Sequence, residues 1–219
     1  MDFDYILRAL PDLLRGAQTT IAVSTLAIFF SLCVGVIGST IRSSGFKPAS
    51  YLVTAYVEFI RGTPYLVQIF FIFYGFPAIG LKLSVFWSGV AALSIWASAF
   101  HIENIRAGLA SVPTGVNDAS GSLGLGRLHH ALFVVLPIAL RSALPSMMNT
   151  IVSTVKNSAY LQAIGLVELT FVAVERVAYD FRVIEMFASI CAIYLMCVFT
   201  VSGLGSVLQR RLDRPYGGR

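Results

Sequence analysis

The fold is decided by one polar segment of the chain, DASGSLGLGRLHHALFVVLP, which occupies residues 118–137. Apolar runs that can each form a membrane-crossing helix lie on both sides of it. The segment contains Gly124 and ends at Pro137, and these are residue types that bend or end helices. We therefore expect a polar loop, with limits near residues 111 and 137, that is presented at a membrane surface between two spans.

The composition of the whole chain indicates a membrane protein. Of its 219 residues, 57% are hydrophobic and 12% are charged, and the mean hydropathy is +0.78. Soluble domains carry about 25% charged residues, so lipid must form part of the solvent of this chain. The competing interpretation, a soluble all-α protein, leaves almost no solvent-facing surface. The net charge of +5 does not indicate nucleic-acid binding, because the basic residues are scattered between apolar runs.

Five apolar runs predict an all-α membrane protein that forms a single domain over residues 1–219. Two of the runs contain helix-breaking residues: the second is interrupted at Gly62 and Pro64, and the fourth contains Pro137 and Pro145. We expect the second run to begin as a surface helix that leads into a broken span. The predicted spans are 21–41, 51–76, 85–109, 132–155 and 186–207.

Lysine and arginine are distributed unevenly between the two sides that five spans define. With the C-terminus in the cytoplasm, nine of these residues fall on the inner side and five on the outer side. Asp2, Asp4 and Asp12 give the N-terminus the wrong charge for a cleaved signal peptide, so the first run is expected to remain as a helix. The sequence thus predicts an N-terminus outside, a C-terminus inside and the segment 111–137 in the cytoplasm.

Local signals within the polar segment predict one short helix, a bend, and another helix that runs back into the membrane. Pro113 ends the preceding helix, and Asn117 or Asp118 is expected to cap a new one. Gly124 allows a sharp turn, after which a second helix enters the membrane at Pro137. A short helix held at an angle can lie in the groove of a partner protein, and an ordinary cytoplasmic loop is the alternative.

The spacing of this segment resembles that of a known family. The run Asp118-Ala119-Ser120 is followed after three residues by Gly124, and after nine more by the run Val134-Val135-Leu136-Pro137. This is similar to the loop of binding-protein-dependent ABC importer permeases, whose pattern is Glu-Ala-Ala, three residues, Gly, nine residues and Ile-x-Leu-Pro. The resemblance implies the type I ABC importer permease fold, a bacterial inner membrane, and a cytoplasmic coupling helix that contacts an ATPase. The implied contact residues are Asp118, Ala119, Ser120, Gly124, Leu125 and Pro137.

Three further stretches resemble the polar amino acid branch of these permeases, which includes histidine, glutamine, arginine and opine systems. Residues 58–68, EFIRGTPYLVQ, are similar to its FRGTPLLVQ signature, and residues 103–108, ENIRAG, to its ExxRgG pattern. Residues 156–169, KNSAYLQAIGLVEL, are similar to its K(D/N)(S/T)SL…IG…EL pattern. The resemblance implies three kinds of partner: a dimer of ATPase subunits that bind ATP and Mg²⁺, a second permease subunit of the same or a homologous chain, and a solute-binding protein outside.

Polar residues at membrane depth are candidates for the transport path, because they are costly unless they face a partner or a water-filled cavity. Thr63 lies at the predicted break and Gln68 follows it, where freed backbone groups can face a substrate. In the fourth span Asn149, Ser153 and Asn157 recur every four residues and form a polar stripe on one helical face. The stripe either lines the path or joins helices.

The charge of the substrate is left open by these candidates. Three roles are open for Arg61: it can face a substrate, pair with Glu58 one turn earlier, or extend to the membrane interface. No acidic side chain accompanies the polar stripe and Lys156 is basic, which favours a neutral or acidic amino acid or a derivative with an additional carboxylate, such as an opine.

No enzyme activity is predicted for this chain. It has no Gly-x-x-x-x-Gly-Lys-Ser/Thr phosphate-binding loop. Neither its three histidines nor its three cysteines show the spacing of catalytic groups or metal ligands. A secondary transporter or channel subunit for a small polar solute is the alternative function.

Overall fold

The computed structural model describes residues 1–213, and Arg214 and Arg219, two of the basic residues assigned to the inner side, lie outside them. Four helices are long and apolar enough to span a membrane, and a helix pair bent by 110° makes a fifth span if the pair is counted as one broken span. The prediction of an all-α membrane protein is confirmed over the described residues, which hold four such helices, or five spans with the bent pair. The helices are α1 (Phe3–Ser43), α2 (Lys47–Gly62), α3 (Tyr65–Phe70), α4 (Val85–Ala110), α5 (Thr114–Ser122), α6 (Arg127–His130), α7 (Leu136–Asn157), α8 (Leu169–Asp180) and α9 (Val183–Asp213).

Helix α1 begins at Phe3, well before the predicted start at residue 21, and its 41 residues make it about 61 Å long. The side chain of Asp2 caps it by accepting the Tyr5 N–H at 3.1 Å. In its last turn the Arg42 Nη1 donates to the Glu103 Oε2 of α4 at 2.6 Å. One helix therefore runs from the end of the molecule that holds the N-terminus to the end that holds α5 and α6. These are called the N-terminal end and the loop end.

The second span is broken at Thr63 and Pro64, where α2 and α3 meet at the 110° bend. After α3 the chain continues through a π-helical turn (Phe71–Gly75) and a 3₁₀ turn (Phe76–Ile79). Helix α4 is unbroken and packs against α1, α2 and α7, so it forms the centre of the bundle. Its core side chains, such as Leu93, lie among apolar residues of α1, α3 and the chain after α7: Val23, Ala27, Ile69 and Leu161.

Helix α7 was expected to kink near its beginning. A π-helical turn (Ala131–Val135) precedes it directly, whereas Pro145 lies inside the helix. The helix leads into a 3₁₀ turn (Ser158–Ile164), and the chain then enters α8.

At the N-terminal end, the start of α1, all of α8 and the start of α9 form what we call the three-helix unit. Leu13, Leu169 and Met186 are fully buried at its centre. At its surface Asp12 forms an ion pair with Arg176, and Arg182 lies 3.6 Å from Asp2. These pairs connect the start of α1 to α8 and to the residue before α9.

Glu168 is a fully buried carboxylate that joins the three helices of this unit. Its Oε1 caps α8 by accepting the Phe171 N–H at 2.8 Å. Its Oε2 accepts hydrogen bonds from the hydroxyls of Thr20 on α1 at 3.3 Å and Tyr194 on α9 at 3.0 Å. Burial raises the pKa of Glu168 above its ordinary value, and the hydrogen bonds that it accepts oppose this rise.

Candidate functional site

The polar loop between α4 and α7 contains two short helices, α5 and α6, and α5, the predicted short helix, begins earlier than expected. It starts at Thr114, so Asn117 and Asp118 lie inside it and are not its cap, and this part of the prediction was wrong. The reason is Pro113, whose fixed φ suits the position just before a helix and allows the turn to form at once. The Val116 N–H donates to the Pro113 carbonyl at 3.1 Å.

Gly124 makes the bend between the two short helices. Its φ is +67°, in the left-handed region that only glycine enters without strain. The Leu125 N–H reaches back to the Ser120 carbonyl at 3.2 Å, which is the six-residue closure of a Schellman motif. The predicted glycine-dependent turn is therefore present, and its backbone geometry is fixed.

Of the other residues predicted to contact an ATPase, Asp118 and Ala119 are exposed on α5, and Pro137 is partly exposed in the first turn of α7. Ser120 is buried, and its Oγ lies 2.7 Å from the His130 Nδ1. This contact, which the sequence did not indicate, joins α5 to α6 across the bend.

The loop presents apolar side chains at its surface, and we call Leu123, Leu125 and Leu128 the leucine tip. The side chain of Leu123 is 78% exposed and that of Leu128 is 68% exposed, and Leu125 lies between them on the bend. Exposed apolar side chains on a polar loop are typical of a surface that meets another protein or the membrane.

At the base of the loop, α4 and α7 are in direct contact through Gly108. A Cβ at this position would lie 2.5 Å from the Ala139 carbonyl oxygen and 2.7 Å from the Ala143 Cβ. No larger residue fits, so the two helices that carry the loop can approach only because residue 108 has no side chain.

Closer to the middle of α4 and α7 lies an open groove of about 330 Å³, which we call the polar groove. Asn149 and Ser153, two residues of the predicted stripe, line it, whereas Asn157 lies one turn beyond Ser153 and does not. The Arg61 guanidinium is 5.4 Å from the centroid of the Phe100 ring at its edge. The complete lining is Trp96, Phe100, Asn104, Ser146, Asn149, Thr150 and Ser153.

Thr63 and Gln68 line a different cavity, of about 320 Å³, which lies at the break between α2 and α3. Its other lining residues are mainly apolar. The Gln68 side chain is 7% exposed, and its Nε2 donates to the Ile60 carbonyl at 2.7 Å and to the Thr63 Oγ1 at 2.9 Å. The structure thus brings together two of the five candidate path residues at the polar groove and another two at the break.

The sequence of residues 31–214 matches the family described as "Binding-protein-dependent transport system inner membrane component". The chain belongs to this family. The match covers the broken span, the polar groove and the loop, and the family assignment made from the loop spacing is confirmed.

Individual relatives agree with this assignment along nearly the whole chain. The glutamine transport system permease protein GlnP of Escherichia coli strain K12 is 32% identical over 216 residues, which cover 97% of this chain and 99% of that protein. The nopaline transport system permease protein NocM of Agrobacterium fabrum is 31% identical, with 93% and 89% covered. A crystal structure of an amino acid ABC transporter with histidines contains a chain that is 33% identical, with a TM-score of 0.88 and 96% and 99% covered.

Several groove residues of this permease were missed by the sequence analysis. Trp96, Phe100 and Asn104 are spaced by four residues, which places them on one face of α4, but Trp96 and Phe100 lie inside an apolar run. The available signal was Asn104, a polar residue at the same spacing. Its Nδ2 donates to the Thr150 Oγ1 at 2.9 Å and holds α4 against α7.

Two of the histidines lie in different surroundings. His101 is fully buried in α4, and neither ring nitrogen has a hydrogen-bond partner among the described residues. His130 contacts the Ser120 hydroxyl. In this permease that contact is structural, because it connects the two short helices of the loop.

Proposed function

We propose that this chain is the membrane-spanning subunit of an ATP-driven importer, and that it carries a polar amino acid or an amino acid derivative into the cytoplasm. The names of its relatives support the substrate class, since they include glutamine and nopaline systems and an amino acid transporter. The observation that carries the mechanism is the leucine tip, which is exposed on a fixed turn between two spans. Such a surface is costly in water until a partner covers it.

The partner at the leucine tip is an ABC ATPase subunit that binds ATP and Mg²⁺, with Asp118 and Ala119 at the edge of the contact. The permease supplies apolar side chains and a rigid turn and performs no hydrolysis. Because Gly108 packs on Ala139 at the base of the loop, a displacement of the loop moves α4 and α7 together. Movement driven by ATP then reaches both helices that line the polar groove.

Two further partners complete the importer. A second permease subunit, of the same or a homologous chain, encloses the groove, which is open in the single chain. A solute-binding protein delivers the substrate from the outside, where the N-terminus lies in this proposal. ATP and the loaded binding protein must each prefer the same conformation, because a ligand shifts an equilibrium only by its differential affinity.

The polar groove is the proposed substrate contact. Asn149 and Ser153 offer hydrogen bonds, and the residues that line the groove are uncharged. A cation, Arg61, lies beside Phe100, and it favours a substrate with a free carboxylate. For Thr63 and Asn157, contact with the substrate stays a prediction, and the role of Gln68 is taken up below.

The ATPase contact is tested by a double substitution in the leucine tip, Leu123→Asp with Leu128→Asp. Burying these charges against an apolar partner should remove co-purification of the ATPase and reduce substrate-stimulated ATP hydrolysis in membranes at least about tenfold. The matched control is Leu81→Asp, at an exposed position on the connection before α4. Wild-type co-purification and hydrolysis in the double variant would refute the contact, and uptake without any ATPase would favour a secondary transporter.

The substrate contact is tested by Asn149→Leu. Loss of one polar contact of about 1 to 3 kcal/mol should weaken the apparent substrate affinity roughly 5- to 150-fold. Uptake is measured per assembled transporter, because a residue that only joins helices would lower the amount of complex instead. Unchanged affinity would remove Asn149 from the path.

A further inference from the structure

The break between α2 and α3 leaves backbone carbonyls without their helical partners. Pro64 has no N–H to donate, and Thr63 is extended, with φ −110° and ψ 145°, so the last turn of α2 cannot continue its hydrogen bonding. In a membrane protein such carbonyls need other hydrogen-bond donors from within the chain. Two side chains provide them here.

The first donor is the Thr63 hydroxyl, which donates to the Phe59 carbonyl at 2.9 Å. The second is the Gln68 amide, which reaches back across the break to the Ile60 carbonyl at 2.7 Å. The same Nε2 also lies 3.1 Å from the Thr63 carbonyl and 2.9 Å from the Thr63 Oγ1. Gln68 therefore connects the first turn of α3 to the last turn of α2.

The orientation of this amide is determined by its neighbours. The opposite rotation would point the Oε1 at two carbonyl oxygens, which cannot donate. In the orientation present, Oε1 is buried without a hydrogen-bond partner among the described residues. The chain leaves one acceptor unsatisfied and retains the connection through the nitrogen.

The bend that Gln68 holds determines where the end of α2 lies. Arg61 is in that last turn, and its guanidinium lies over the Phe100 ring of α4. Phe100 lines the polar groove together with Asn149 and Ser153. The cation beside the groove is thus placed by a side chain that lies outside the groove.

We propose that Gln68 is a positioning residue: it fixes the bend between α2 and α3 and thereby holds Arg61 at the polar groove, without itself touching the substrate. This role rests on the proposed function insofar as the groove binds the substrate. The connection that Gln68 makes across the break does not depend on the proposed function. The two parts are therefore measured separately.

The first measurement is a distance across the bend that needs neither substrate nor ATPase. Spin labels are attached to cysteines at Leu52 on α2 and Ile79 beyond the break, two exposed positions, in a variant lacking Cys33, Cys191 and Cys197. We expect one narrow distance distribution in the parent protein and a broadened or shifted one with Gln68→Leu. Gln68→Met, which retains the chain length without a donor, replaces the leucine variant if that variant does not assemble.

Two controls define the specificity of this effect. Gln18→Leu makes the same chemical change at an exposed position of α1 and should leave the distribution unchanged. Thr63→Val removes one of the three acceptors of the amide and should broaden the distribution less than Gln68→Leu. A distribution that is unchanged in both Gln68 variants would overturn the proposal.

The second measurement separates positioning from substrate contact. If Gln68 acts through Arg61, Gln68→Leu should raise the KM for uptake by roughly 2- to 30-fold, the range of a lost cation–π placement. In an Arg61→Gln background the same substitution should add less than about twofold, because the two residues act through one contact. Additive losses with an unchanged distance distribution would assign Gln68 to the substrate instead. Failure of the proposed function would remove the KM effect of Arg61→Gln itself and leave the distance result intact.

Discussion

The two ends of this permease differ in the polar groups that connect their helices. At the N-terminal end, Glu168 has hydrogen bonds from three elements and Asp12 is paired with Arg176. At the loop end, the leucine tip is exposed, and the Ser120–His130 contact joins the two short helices. Large apolar side chains are exposed at both ends, including Tyr179 and Ile184 in the three-helix unit. The difference therefore lies in the polar connections: one buried carboxylate joins three helices at the N-terminal end, whereas one Ser–His contact joins two short helices at the loop end.

The stability of the three-helix unit comes more from its buried apolar side chains than from the ion pairs at its surface. The Asp12 and Arg176 side chains are about a third exposed, and ion pairs at this exposure contribute about 0 to 1 kcal/mol. The buried leucines and methionine each contribute about 1.5 to 3 kcal/mol. The charged residues therefore mark a surface that water reaches, and the apolar centre holds the helices together.

The two ends are expected to lie on opposite sides of the membrane, and this is the largest effect to test. Single cysteines at Tyr179 in the three-helix unit and at Ser122 in the loop, in a background lacking the three native cysteines, should react with an impermeant thiol reagent from opposite sides. We expect Tyr179→Cys to be labelled in intact cells and Ser122→Cys only after permeabilisation. The reverse pattern would contradict the N-out orientation and the proposed ATPase contact.

A change in the loop should affect coupling while leaving the rest of the protein intact. Gly124→Arg places a side chain at φ +67°, which costs about 1 to 2 kcal/mol and depopulates the bent loop roughly 5- to 30-fold. Substrate-stimulated ATP hydrolysis and ATPase co-purification should fall by this factor, at a normal level of membrane insertion.

The matched control is Gly126→Arg, because a Cβ at Gly126 has open space around it and this glycine does not have a positive φ. A loss confined to Gly124→Arg assigns the effect to the turn. Equal losses in both variants would assign it to bulk at the tip, and wild-type values in both would refute the coupling role.

The smallest expected effect concerns Glu168 and pH. Because its pKa in the folded protein is raised above the ordinary value near 4.5, the unfolded chain releases this proton first as pH rises. The stability is therefore highest below the ordinary pKa and falls as pH increases through the folded-state pKa. Glu168→Gln should remove this slope and, at acidic pH, differ from wild type by about 1 kcal/mol, the value of one hydrogen bond.

The measurement is thermal unfolding in detergent across about pH 4 to pH 8, the range in which a raised carboxyl pKa makes the stability depend on pH. The variant Glu175→Gln, at an exposed carboxylate on α8, controls for the loss of a charge. Parallel pH profiles for wild type and Glu168→Gln would show that the buried carboxylate does not respond to pH.

The spans were predictable because lipid imposes a simple rule: every backbone group must be satisfied within a helix, and the helix must be apolar over about 20 residues. The start of α1 at Phe3 could not be predicted in this way, because residues 3–20 gain their partners from α8 and α9. These helices lie more than 140 positions away in the sequence. Long-range contacts of this kind leave no local periodicity.

The turn at Gly124 was predictable because glycine is the residue that adopts a positive φ without strain, and the spacing around it resembled a known family. Gln68 shows the opposite case. Its polarity at membrane depth correctly marked it as unusual, but polarity alone does not indicate whether an amide faces a substrate or the carbonyls of its own broken helix. The three acceptors around Nε2 depend on the 110° bend, which no local pattern specifies.

Helix α1 is long enough to connect the two ends of the molecule. Its first turns are packed into the three-helix unit, and its last turn holds Glu103 of α4 through Arg42. In a rod of about 61 Å, a tilt of about 5° moves one end relative to the other by about 5 Å, which is more than the length of a hydrogen bond. A small rotation that begins where α8 packs against α1 therefore becomes, at the opposite face of the bilayer, a displacement large enough to break or exchange the Arg42–Glu103 pair.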